Sequence, residues 1–265
     1  MSLYALVSPG GSAGVTTTAL ALTLTWPQPV ILAECDPTGG DIVAGLFAGH
    51  IAAPRGLLDV AYEARRGSVA LSAGAGGQLA ALDAGGSRTF LAGLSDPRQA
   101  PGLTPAWPAI AAVLAKAVLA GRPRDVIADC GRLDAGEGQP TSVIAEAAVV
   151  AMVMRSTLRQ LAAAAPRMEM LADLRGGLDR VGLLLVGAKD GHSPAEISRT
   201  LGVGLLARIP FDARTAAVLS DGKGRRSNLD DTTLLRAAKS AGHALIRAGS
   251  AQVAADVAAA NGNLA

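Results

Sequence analysis

A single α/β domain, built on one doubly wound, mostly parallel sheet with helices on both faces, is the fold this sequence predicts. Three observations carry that expectation. Short aliphatic runs alternate with helical patterns along nearly all of the 265 residues. Half of the residues are hydrophobic but only 3% are aromatic, so the core is built from Ala, Val, Leu and Ile, as in strands buried on both faces. A glycine-rich stretch, "SPGGSAGVTTTALALTLT" (8–25), joins the first strand run to the first helical run, and doubly wound folds bind ligands beyond such strand ends.

In chain order, the strands read as 3–7, 29–34, 79–82, 125–129, 147–154, 181–187 and 204–209. Helical patterns fall at 15–25, 56–66, 106–120, 156–174, 194–201, 213–220 and 230–247. Alternation of this kind, nearly throughout the chain, implies right-handed crossovers and a parallel sheet covered on both faces. Two Gly- and Pro-rich stretches, 84–105 and 131–142, read as longer loops. The domain is expected to span 1–249, with 250–265 an alanine-rich flexible tail.

Composition limits the remaining classes. The formal charge of +2 requires no nucleic-acid partner and leaves room for a local basic patch. The opening "MSLYALVSPGG" lacks a basic leader, so no signal peptide is expected. No run of 18 apolar residues suggests stable membrane insertion. Cys35 and Cys130 lie outside any CxxC spacing, which argues against zinc and for buried thiols acting as small hydrophobes in a reducing, cytoplasmic setting.

Three strand ends carry the chemistry. Gly10, Gly11 and Gly14 let a backbone loop approach an anion closely, and Thr16, Thr17 and Thr18 place hydroxyls at the following helix start, the arrangement of a phosphate-cradling loop. An ordinary glycine-rich turn has the same local look. In "ILAECDPTGGD" (31–41), Glu34 and Asp36 alternate with Cys35 and face one side, positioned to act on a magnesium-bound or attacking water. Asp-Pro-Thr-Gly-Gly is also strong turn chemistry. "RDVIADCGRL" (124–133) is an aliphatic strand ending in Asp129, as in a Walker B strand whose carboxylate reaches magnesium.

Taken in order, these motifs resemble the MinD/ParA family of P-loop ATPases, the deviant Walker A group. The family's G-K-G-G-x-G-K-[ST] lies without gaps on Pro9, Gly10, Gly11, Ser12, Ala13, Gly14, Val15 and Thr16. Its "DxDPQG" is similar to "ECDPTGG" (34–40), and its "IIDTP" to "IADCG" (127–131). "RGLLDVAYEARRG" (55–67) and "LLARIPFDARTAAVLSDGK" (205–223) resemble two further family segments. The resemblance covers about residues 1–247. It implies ATP or ADP with magnesium held by Gly10, Gly11, Ser12, Ala13, Gly14, Val15, Thr16 and Thr17, with Pro210 and Asp212 on the nucleotide's far side. It implies Thr16, Asp36 and Asp129 around the metal, and Asp36 as the catalytic carboxylate where hydrolysis occurs.

The departures weaken that chemistry. Val15 stands where the family has the lysine that touches the terminal phosphates. Gly10 stands where the signature lysine reaches the partner subunit's nucleotide. Glu34 replaces the first Asp of the acidic motif, and Gly187 stands where an asparagine reads adenine. Phosphoryl transfer depends on charge neutralisation, and one such contact is worth about 3 kcal/mol. The expectation is a degenerate, weakly or partner-dependently occupied site on a positioning or scaffold protein that works by homodimerisation and recruitment in polar localisation, secretion or pilus assembly. The alternative is an active ParA-type partitioning ATPase that uses an arginine, with Arg132, Arg155 and Arg55 as candidates. Arg155 and Arg159 share a helix face, a candidate surface for nonspecific DNA.

Overall fold

The computed structural model describes residues 1–11, 13–51, 55–67, 71–73, 77–187, 191–223, 229 and 231–262. Among the described residues the strands are β1 (Leu3–Ser8), β2 (Val30–Glu34), β3 (Leu79–Ala81), β4 (Arg88–Leu91), β5 (Val118–Leu119), β6 (Arg122–Pro123), β7 (Asp125–Arg132), β8 (Val149–Arg155), β9 (Val181–Val186) and β10 (Gly204–Ile209). The helices are α1 (Val15–Thr25), α2 (Gly56–Arg65), α3 (Ala100–Leu103), α4 (Trp107–Ala115), α5 (Thr141–Glu146), α6 (Leu158–Arg175), α7 (Pro194–Leu201), α8 (Ala213–Asp221) and α9 (Thr233–Gly262).

Eight strands form one sheet in the order β10-β9-β8-β1-β7-β2-β4-β3. Every neighbouring pair is parallel except β3 with β4 at the edge. The period-two alternation of β1 shows how the layers arise. Leu3, Ala5 and Val7 enter the apolar cluster shared with α2, α4, α5, α6 and α7, whereas Tyr4 and Leu6 enter the cluster shared with α1, α8 and α9. Both faces are therefore covered, as the aliphatic composition requires. Cys35, the residue after β2, and Cys130 on β7 are buried free thiols, and the Cys35 amide donates to the Asp129 carbonyl (2.8 Å); burial pushes both thiols well above the ordinary range.

The structure differs from the sequence reading at several elements, among them the short helix α5 (Thr141–Glu146) and the extension of β7 to Arg132, both within the stretch read as loop 131–142. Arg88–Leu91, inside the stretch read as loop 84–105, is a buried parallel strand beside β2. The edge strand β3 runs antiparallel. The helix read to 120 stops at Ala115, because Ala120 and Gly121 both take positive φ (51° and 73°) and close the β5–β6 hairpin. The last helix runs on through Gly262. No helix among the described residues is long and apolar enough to cross a membrane.

Candidate functional site

The strand order places β1 between β8 and β7, with β2 beyond β7. The C-terminal ends of β1, β7 and β2 thus lie side by side and bring the three motifs together. Gly14 adopts the left-handed conformation (φ 86°) at the N-cap of α1, where a side chain would be strained. No side chain caps this helix, so its first amides remain available to an anion.

Around these strand ends lies a cleft of about 910 Å³, lined by Ser8, Gly11, Ala13, Gly14, Val15, Thr16, Thr17, Asp36 and Arg132, among others. Its far wall is Asp41, Ile42, Ala44 and Gly45 together with Leu219, Ser220 and Asp221 of α8. Sequence reasoning did not single out this wall. It depends on a close backbone approach, since a Cβ on Gly45 would collide with the Ser220 carbonyl.

The carboxylates have divided their work. Asp129 is fully buried on β7 and accepts hydrogen bonds from the Thr16 hydroxyl and the Gly131 amide. Burial raises its pKa to about 7; those hydrogen bonds pull it down, while the charges of Asp36 and Glu34 add to the rise. Asp36 lines the cleft and accepts from the Thr38 amide (2.8 Å) and hydroxyl (2.7 Å). Glu34 does not face the cleft. Its Oε1 accepts from the amides of Asp41 (2.8 Å) and Ile42 (2.9 Å), and its Oε2 from Gly93 (3.1 Å). Burial still pushes its carboxyl above the ordinary range. Asp36 and Thr16 thus line the cleft, with Asp129 buried behind Thr16 and bonded to it, whereas Glu34 staples the turn after β2.

Both lysine positions are filled by something else. Val15 is 7% exposed and joins the apolar cluster containing Leu20, Ile42 and Leu219. A Cβ on Gly10 would lie 3.3 Å from Nε2 of Gln160, a buried residue of α6 whose Oε1 has no hydrogen-bond partner. Gln160 carried no signal in the sequence. Ser12 lies outside the described residues.

On the far side, a Cβ on Gly187 would lie 3.3 Å from Cβ of Phe211. The Arg155 guanidinium sits 5.6 Å from the Phe211 ring centroid. Pro210 is exposed, and Asp212 accepts from Thr215 N (3.0 Å), Thr215 Oγ1 (2.7 Å) and Thr233 Oγ1 (3.0 Å). Neither of these two lines the cleft. Arg55 pairs with Asp59 at 2.9 Å on α2, also away from it. Arg167 donates to the carbonyls of Leu133 and Ala163. Arg155 ends strand β8 whereas Arg159 lies in the first turn of α6, so these two exposed arginines do not share a helix face as the sequence reading expected.

A magnesium diphosphate or triphosphate fits the phosphate end of this site. The uncapped amides of α1, the Thr16–Asp129 pair and the volume of the cleft all suit it.

No family model matches the chain, and no curated protein matches it. Solved structures do. The ParA family ATPase of Chlorobium tepidum superposes with a TM-score of 0.69 at 14% identity, covering 91% of this chain and 97% of its own. MinD of Pyrococcus horikoshii, complexed with Mg-ADP, gives 0.61 at 17% identity over 91% and 94%. The MinC:MinD cell division complex of Aquifex aeolicus gives 0.67 at 15% over 93% and 96%. The likeness read from three short motifs extends through the whole topology, and the fold of this chain is that of the ParA and MinD ATPases.

Proposed function

We propose that this protein is a MinD/ParA-like positioning or scaffold protein whose degenerate nucleotide site binds magnesium nucleotide weakly and turns it over poorly. It acts by homodimerisation and by recruiting a protein partner in a localisation, secretion or partition system. The observation that carries this reading is Val15, sealed into the core at the loop position where a lysine would touch the phosphates. The neighbours support its outline: one holds Mg-ADP and another is a complex with MinC.

In this reading the amides at the start of α1 hold the phosphates, and Thr16, Asp36 and Asp129 hold the magnesium. A bound nucleotide would supply the phosphate oxygens that accept hydrogen bonds from these amides. Asp36 is the residue placed to orient water where hydrolysis occurs. Asp129 would hold the magnesium as a carboxylate, the cation's charge offsetting the desolvation that raises its pKa.

Calorimetric titration of MgATP and MgADP into the full chain, with mass from light scattering, tests the proposal. Weak binding, a dimer and negligible phosphate release are expected. Fast magnesium-dependent turnover would overturn it in favour of an active partitioning ATPase that uses an arginine for the missing lysine.

A further inference from the structure

Without its two lysines the cleft has an electrostatic deficit. Its described lining carries three carboxylates, Asp36, Asp41 and Asp221, and one basic side chain, Arg132. Apart from Arg132, only backbone dipoles would offset a polyphosphate brought next to these acids, and close like charges repel strongly in a partly desolvated site. The one lining cation is placed by a specific irregularity of the sheet.

The β1–β7 ladder pairs Leu3 with Val126 through Leu6 with Asp129, then jumps to pair Ser8 with Arg132. The extra residue is absorbed at Gly131, which takes φ 63°. A Cβ there would also run into the Asp36 carboxylate, so glycine is required twice. Such bulges turn a side chain to a new direction beside functional sites. Here the result sets Arg132 beside Ser8, whose amide-bearing loop begins immediately after it and whose hydroxyl donates to the Gly10 carbonyl (3.0 Å). The Leu133 amide locks the register by donating to the Ser8 carbonyl (3.0 Å).

The Arg132 guanidinium lies 2.8 Å from Asp134, and both side chains are about half exposed (51% and 47%). An exposed, solvent-screened pair of this kind contributes little, so trading the carboxylate for a phosphate costs little. A guanidinium forms two parallel hydrogen bonds to phosphate oxygens, a geometry that a lysine lacks.

We propose that Arg132 is the phosphate-binding cation of this cleft, exchanging Asp134 for the diphosphate of a magnesium nucleotide, and that Asp134 lowers affinity by competing for it. The assignment rests on the nucleotide reading above. Arg132 replaces in space, from the end of β7, the charge that the loop lost in sequence at position 15.

Calorimetric titration with MgADP of wild type, Arg132→Gln, Arg132→Lys, Asp134→Asn and Arg122→Gln, an exposed arginine of the β5–β6 hairpin outside the cleft, tests it. Arg132→Gln weakens binding about tenfold or more, the scale of a charged hydrogen bond. Arg132→Lys recovers part of the loss, Asp134→Asn tightens binding severalfold, and Arg122→Gln leaves it unchanged. Equal affinity of wild type and Arg132→Gln, or no tightening in Asp134→Asn, overturns the assignment while leaving the nucleotide reading intact. Wild type that gives no heat with MgADP overturns both. Should Arg132→Gln not fold, the Asp134→Asn titration decides, because that variant removes an exposed partner and keeps Arg132.

Discussion

Asp129 combines full burial, a hydrogen bond from the Thr16 hydroxyl and a carboxyl pKa raised to about 7, chiefly by desolvation. The folded chain therefore keeps a proton that the unfolded chain releases near pH 4. Between about pH 4 and pH 7 stability falls as pH rises, on the order of 1.4 kcal/mol per unit at most from this group. Asp129→Asn keeps an acceptor for Thr16 and Gly131 and removes the ionisation. Its melting temperature without nucleotide is expected to exceed that of wild type at pH 8, by a margin that shrinks towards pH 4. Thermal scans at several pH values check this; a constant margin would contradict the assignment. At this scale much of the site was legible in the sequence. Glycines, threonines and an Asp at a strand end have a chemistry that spacing alone reveals. Glu34 and Gln160 were not legible: a carboxylate followed by Pro and Gly reads alike whether it faces a metal or three amides, and a helical Gln gives no sign that it will press on a loop.

At the scale of elements, Asp212 shows how a single cap joins two helices. Its carboxylate accepts from Thr215 at the start of α8 and from the hydroxyl of Thr233 at the start of α9. Slight burial pushes its pKa up, but these hydrogen bonds outweigh that and lower it below the ordinary carboxylate range. The associated stability is present above that range and is lost as pH falls through the lowered value. Asp212→Ala is expected to cost about 1–2 kcal/mol at neutral pH, with the difference from wild type shrinking in acid; denaturant titrations at both pH values measure it. Long aliphatic strands were readable because a buried parallel strand is a continuous apolar run. The strand β4 was not, since four residues are too short to show a period and Gly and Ser flank it. The β5–β6 hairpin was hidden for another reason: Ala120 supplies a left-handed turn position that sequence reading assigns to Asn or Gly.

Across the whole molecule, architecture and chemistry have separated. The mostly parallel eight-stranded sheet with helices over both faces matches the ATPase fold, while the loop from Ser8 to Thr16 carries no charged side chain. If the scaffold is intact, replacing the missing charge should restore function without redesign. Val15→Lys is expected to tighten MgATP about tenfold or more. It should also lower the melting temperature of the nucleotide-free protein, because Val15 gives up core burial. Calorimetry and a thermal scan read both effects, and unchanged affinity would mean that the loop itself is misshapen. Gly10→Lys is a poorer repair, since its side chain would first have to displace Gln160. The two thiols have a practical consequence. They are the only cysteines in the chain and both are sealed in the sheet, so the native protein is nearly silent to maleimide. A cysteine introduced at any exposed position becomes the one handle for a dye, and subunit pairing can be followed by energy transfer without first removing a native residue.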